Sequence, residues 1–293
     1  MKSKIALFFG ICTLAILAVY LSSKNSNMEA LDLSSLTGKI AISQINNKTT
    51  GKSSGVNIFD LTNGENKLIL SEVVGNICNP IYGENSDVII ADELNKNSII
   101  QYDQKSAEKK CILNYQKSFH FRYIPKQNSI SYYAKLGNGY GIYTYNLDSK
   151  KEAFLGKFDM YYSWDTSGQN LYYSNDGFIQ RYNLQDKKSY KLFEGDFPEI
   201  SPNSKYIAYI PSGNDEKNRL IIRDINNGTE WQLKTSYIHY VRFSPDSENI
   251  AILRTTAGWL SYYEYELYIW NFKSGKGVKF LKDLTVIDSF DWK

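Results

Sequence analysis

The chain has 293 residues and a formal net charge of +3, with 24 Tyr, 14 Phe and 5 Trp against 6 Pro and 3 Met. This length buries one large all-β core or two ordinary domains, and the aromatic bias suits pleated, half-buried strands better than helices. Lys and Arg are spread along the chain with no dense basic face, which excludes a dedicated nucleic-acid binder.

The N-terminus opens with Lys2 and Lys4 before an apolar run from Ile5 to Leu21, broken by Gly10 and Thr13. As a helix the run spans about 25 Å, near the short end of what crosses a bilayer. A cleaved signal peptide competes with a retained anchor. Leu17-Ala18-Val19-Tyr20-Leu21-Ser22-Ser23 offers no clean small-x-small step, which favours retention. The expected organisation is a signal anchor or signal peptide over 1–21, a polar linker over 22–36 and one folded domain over 37–293. The lysines precede the run, so that domain is expected outside the cytoplasm at the cell membrane, or secreted if the segment is cleaved.

Beyond the linker one block recurs six times: an aromatic or aliphatic residue, Asp or Asn, about nine residues, then an apolar position. The marker residues are Asp60, Asp103, Asn146, Asn183, Asp224 and Asn271, about 37–47 residues apart, the length of a propeller blade. An Asp or Asn at a strand end turns the chain by a side-chain-to-backbone bond, and Thr62-Asn63-Gly64, Asn226-Asn227-Gly228 and Lys273-Ser274-Gly275 read as hairpin turns. Six aligned metal ligands are the rival reading, and one per blade is too dispersed for it. A second block precedes each hairpin, sharp in Ile200-Ser201-Pro202-Asn203 and Phe243-Ser244-Pro245-Asp246 and degenerate around Trp164, Tyr123 and Tyr82. The expected fold is therefore all-β, a six-bladed β-propeller behind an N-terminal transmembrane or signal helix. The tail Val286 to Trp292 reads as the opening strand of a blade and is preferred to Leu31–Leu36 for closing the ring.

The Ser-Pro-Asp-Ser block resembles the TolB-type, WD40-like propeller repeat, and the likeness runs from Lys39 to Lys293. The resemblance implies the fold, and by analogy a binding or scaffolding role.

Candidate sites fall in two places. The connection from Arg254 to Glu264 holds Trp259, Tyr262 and Tyr263, which either stack on a sugar or protein partner or pack over the blade edge. Beside the first-strand anchors, Arg122, Glu199, Arg242 and Asp291 either meet at the axis or form exposed rim pairs, and rim pairs are the ordinary outcome. His120 and His239 are the only histidines and read as lying just before first strands. No nucleophile elbow, phosphate loop or zinc helix occurs, and no cofactor is expected. Cys78 and Cys111 either pair in an oxidising compartment or stand alone in strands. The reading that results is an envelope-side interaction propeller for a protein or glycan. Its alternative is a lactonase-like hydrolase with a channel metal held by carboxylates such as Glu199 and Asp291.

Overall fold

The computed structural model describes residues 30–46, 53–72, 77–93, 96–114, 118–137, 139–212, 219–235, 237–257, 263–284 and 287–293. The segment expected as an anchor or signal helix, 1–21, lies outside the described residues. Among the described residues no helix is long and apolar enough to cross a membrane.

Six four-stranded antiparallel sheets make up the described fold. Blade 1 contains β1 (Lys39–Asn46), β2 (Ser53–Asp60) and β3 (Glu65–Glu72). Blade 2 contains β4 (Ile77–Tyr82), β5 (Val88–Glu93), β6 (Ser98–Asp103) and β7 (Lys109–Asn114). Blade 3 contains β8 (Ser118–Ile124), β9 (Ser129–Leu136), β10 (Gly139–Asn146) and β11 (Glu152–Gly156). Blade 4 contains β12 (Tyr162–Trp164), β13 (Asn170–Asn175), β14 (Phe178–Asn183) and β15 (Lys188–Glu194). Blade 5 contains β16 (Asp196–Ile200), β17 (Tyr206–Ile210), β18 (Arg219–Asp224) and β19 (Glu230–Lys234). Blade 6 contains β20 (Ile238–Phe243), β21 (Asn249–Ala257), β22 (Tyr263–Asn271) and β23 (Gly277–Leu284). The last strand, β24 (Ile287–Trp292), pairs with β1 and completes blade 1 in the order β24-β1-β2-β3. Ile40 then lies opposite Trp292 and Ala41 opposite Asp291. The first strands touch in a closed circle, β24 to β4, β8, β12, β16, β20 and back to β24.

Alternation along the strands builds the core. Successive side chains point to opposite faces of a sheet, and each blade is covered on both faces by its neighbours. In β21, Ile250 and Ile252 enter the apolar slab between blades 5 and 6, while Ala251 and Leu253 enter the slab between blades 6 and 1. Both faces are therefore apolar, which is why the second strands read as nearly continuous hydrophobic runs.

The six repeated Asp or Asn residues are turn-makers. Each accepts a backbone N–H from two or three residues ahead, at 2.8–3.0 Å, as Asp60 does from Thr62 and Asn271 from Ser274. The serines of the two sharp Ser-Pro turns act in the same way. Ser201 Oγ accepts from the Tyr206 N–H and Ser244 Oγ from the Asn249 N–H, both at 2.9 Å.

Two further expectations meet the structure here. Residues 30–36, read as linker, lie against the propeller: the Leu31 N–H donates to the Gly277 carbonyl and Leu36 is 1% exposed, inside the slab between blades 6 and 1. Cys78 and Cys111 are not joined by a disulfide. They sit on β4 and β7, opposite edges of one sheet with two strands between them.

Candidate functional site

The channel along the ring axis is lined by one position from each first strand: Ile81, Arg122, Ser163, Glu199, Arg242 and Asp291. Each stands next to the residue that anchors its strand in the core, and they pair with equivalent residues of the second strands, as Arg122 with Ser131 and Arg242 with Ala251. The four charged members meet. Arg242 Nε donates to Asp291 Oδ1 at 3.0 Å, and its Nη1 reaches Glu199 Oε2 at 3.3 Å and the Val241 carbonyl at 2.8 Å. Arg122 Nη2 lies 3.6 Å from the same Glu199 oxygen. The backbone N–H of Tyr82 donates to Asp291 Oδ2 at 2.9 Å.

Exposed rim pairs, the ordinary outcome, are not what forms: Arg242 is 5% and Glu199 8% exposed. Burial pushes the Glu199 carboxyl up against the pull of Arg242 and Arg122. Arg122 is held well above the usual guanidinium value by Tyr240, Glu199 and Tyr162, against the opposing effect of burial.

Two positions earlier along the chain stands a second layer, in or just before the first strands, which the sequence reading missed. His120, Tyr161, Phe197 and Tyr240 form a wall of rings over the arginines. Ring centroids are 5.2 Å apart for His120–Tyr161, 3.8 Å for Tyr161–Phe197 and 6.0 Å for His120–Tyr240. Both guanidinium groups lie against the Tyr240 ring, Arg242 at 4.8 Å and Arg122 at 5.6 Å from its centroid. Two of the rings are aimed by bulges. The ladder shifts between Phe119 and Arg122 and between Asp196 and Glu199, and His120 and Phe197 adopt φ of 51° and 58°. His120 therefore lies within β8 and not ahead of it, and His239 likewise lies within β20. Burial, with Arg122 and Arg242 nearby, lowers the His120 pKa to about 4, so its ring is neutral at pH 7. His239 packs instead between Tyr237 and Tyr265, with centroids at 4.9 and 5.2 Å. A signal for this layer was present in the sequence: an aromatic ring or His occurs two residues before the axial position in four blades.

The charged layer divides the channel. Beneath the aromatic mouth is a narrow cavity of about 40 Å³. On the side of the Ser-Pro turns is a wider one of about 400 Å³, whose wall includes Tyr82, Tyr123, Trp164 and Phe243. Among the described residues no group of three His, Cys, Asp or Glu is placed to hold a metal ion. The carboxylates of the hydrolase alternative, Glu199 and Asp291, both bind Arg242.

The aromatic connection of blade 6 is largely a strand extension. Thr255 pairs with Tyr265, Thr256 with Glu264 and Ala257 with Tyr263. Trp259 and Tyr262, and the side chain of Tyr263, lie outside the described residues.

No family model matches the sequence, and no curated protein matches it. Among solved structures, TolB from Acinetobacter baumannii superposes with a TM-score of 0.75 at 18% identity, over 87% of this chain and 66% of that one. The chain thus spans slightly less than two thirds of that protein's length. A putative TolB from Agrobacterium tumefaciens gives a TM-score of 0.66 at 10% identity, over 80% of this chain and 90% of that one. A structure of a nidogen–laminin complex gives 0.65 at 10% identity, over 87% and 97%. The fold is that of a TolB-type six-bladed propeller.

Proposed function

We propose that this TolB-type propeller is a non-enzymatic interaction module of the cell envelope, held at the membrane by its N-terminal segment and presenting its channel mouth to a protein or glycan partner. One observation carries the reading: His120, Tyr161, Phe197 and Tyr240 gather at a single mouth over two arginines. Tyr and Arg are the residue types that concentrate binding energy at protein interfaces, and aromatic faces also stack on sugar rings. The axial carboxylates are engaged by arginine, so they supply neither an open metal site nor an unpaired base. TolB and a chain of the nidogen–laminin complex supply the analogy of fold.

Cross-linking in intact cells, followed by purification and mass spectrometry, tests the reading. Recovery of one defined envelope protein by the wild type, lost in Tyr161→Ala with Phe197→Ala while the fold is retained, supports it. Loss instead in Trp259→Ala with Tyr263→Ala moves the contact to the connection from Arg254 to Glu264. Recovery of nothing above background in any form removes the protein partner and leaves glycan arrays as the remaining arm.

A further inference from the structure

Beside the aromatic mouth, between blades 5 and 6, lies a further cavity of about 160 Å³. Its wall combines Asp196 and Phe197 from the start of β16, Ile210 and Ser212 at the end of β17 and just past it, and Tyr237 just before β20. Phe197 and Ile210 also line the narrow cavity under the mouth, so the two adjoin. Tyr237 is 54% exposed, and Asp196 and Phe197 are half-buried, so all three keep solvent-accessible surface.

The Asp196 carboxylate lacks a counter-charge. Among the described residues its one side-chain donor is Ser212 Oγ, 3.4 Å from Oδ2. That hydroxyl has a single proton, better placed on the Gly177 carbonyl at 2.9 Å. Burial pushes the Asp196 carboxyl up, and the nearby charge of Asp159 adds to that. No Lys or Arg among the described residues forms an ion pair with Asp196 or Asp159. The axial arginines do not offset them, because Glu199 and Asp291 match those two charges. An accessible carboxylate beside two aromatic rings suits a monocation, which gains from the charge and from the rings together.

We propose that this cavity receives one basic side chain, Lys or Arg, of the protein partner, its cationic head at Asp196 and its methylene stem against Phe197, Ile210 and Tyr237. The inference names the partner's chemistry and rests on the interaction reading above. Basic side chains bury an apolar stem while the charged head stays solvated or paired. The volume holds a single side chain and no larger element. The acidic rim disfavours a carboxylate of the partner at this place, so the contact also fixes how the partner sits over the mouth.

Ligand-observed NMR titration of the full chain with N-acetyl-lysine methylamide and its neutral analogue, N-acetyl-norleucine methylamide, tests this above neutral pH, where Asp196 is ionised. The lysine compound is expected to bind at a single site, with the norleucine compound about tenfold weaker or more. Asp196→Asn should abolish that preference. Tyr237→Ala should weaken the lysine compound a few-fold. Tyr237 is exposed, so this variant keeps the test open even where an Asp196 variant does not fold. N-acetyl-arginine methylamide decides which base fits better, and either order supports the site. Equal binding of charged and neutral compounds, no saturable binding, or wild-type binding by either variant overturns it. Choline binding more tightly than both basic compounds overturns the assignment to a side chain and makes the ligand a small quaternary ammonium. No partner takes part in these titrations, so their failure leaves capture at the mouth standing, and failed capture leaves the cation site measurable.

Discussion

At the scale of single residues, the repeat is written in turn chemistry. The fourth residue after each repeated Asp or Asn adopts a left-handed backbone: Gly64, Gly228 and Gly275 at φ of 73–77°, and Ala107, Lys150 and Lys187 at 56°. A side chain there costs about 1 kcal/mol relative to glycine. Lys150 and Lys187 are exposed, so Lys150→Gly and Lys187→Gly should each raise stability by up to about 1 kcal/mol, read as a higher urea midpoint. Gly64→Ala should cost a similar amount. An added Cβ at Gly64 meets nothing within 4 Å, so that cost is purely one of backbone. The same scale shows why the metal reading of the six Asp/Asn residues fails. Their oxygens accept backbone N–H groups of their own turns.

At the scale of elements, β24 is the strand on which the ring depends. It pairs with β1 and also touches β4 and β20, so it joins the last blade, the first and the second. Trp292 fixes its end: the ring is 5% exposed and Nε1 donates to the Thr37 carbonyl at 3.0 Å. Trp292→Ala leaves a large void in that junction, and its expected cost is about 3–5 kcal/mol. The loss should appear as a lower thermal midpoint. Unchanged melting would mean that the ring closes without this contact. Bulges are the other device at this scale. They turn His120 and Phe197 into the channel, and a pattern of alternation alone assigns such residues to the wrong place.

At the scale of the molecule, two buried groups set opposite pH dependences. His120 has its pKa lowered to about 4 by burial and the two arginines. Between about pH 6.5 and 4 the unfolded chain binds a proton there that the fold refuses, so His120 removes stability as pH falls. Asp92 is 1% exposed and burial raises its pKa to about 7, with Asn79 pulling the other way. Between about pH 7 and 4 the fold binds a proton at Asp92 that the unfolded chain releases, so Asp92 adds stability as pH falls. Each effect is on the order of 3–4 kcal/mol, and in the wild type they largely offset. Relative to the wild type, His120→Asn should therefore shift the stability change on acidification from pH 7 to 4 towards a gain, and Asp92→Asn should shift it towards a loss. Denaturation midpoints at a series of pH values check both, and parallel curves for the two variants would contradict the assignment.

Much of this was legible in the chain itself. Strand patterning, turn residues and the spacing of six Asp or Asn residues are local properties, repeated often enough to specify an all-β propeller of six blades. The same reading picked out Arg122, Glu199, Arg242 and Asp291, because each stands beside a recognisable strand anchor. Their meeting was not local. The residues lie 43 positions apart from Glu199 to Arg242 and 49 from Arg242 to Asp291. Only closure of the ring brings them to one axis and removes the water that would have made them ordinary surface pairs. The aromatic mouth and the unmatched carboxylate of Asp196 also needed the tertiary structure. Bulge geometry decides where a ring points, and a missing counter-charge is a property of the space around a side chain, which no sequence pattern records.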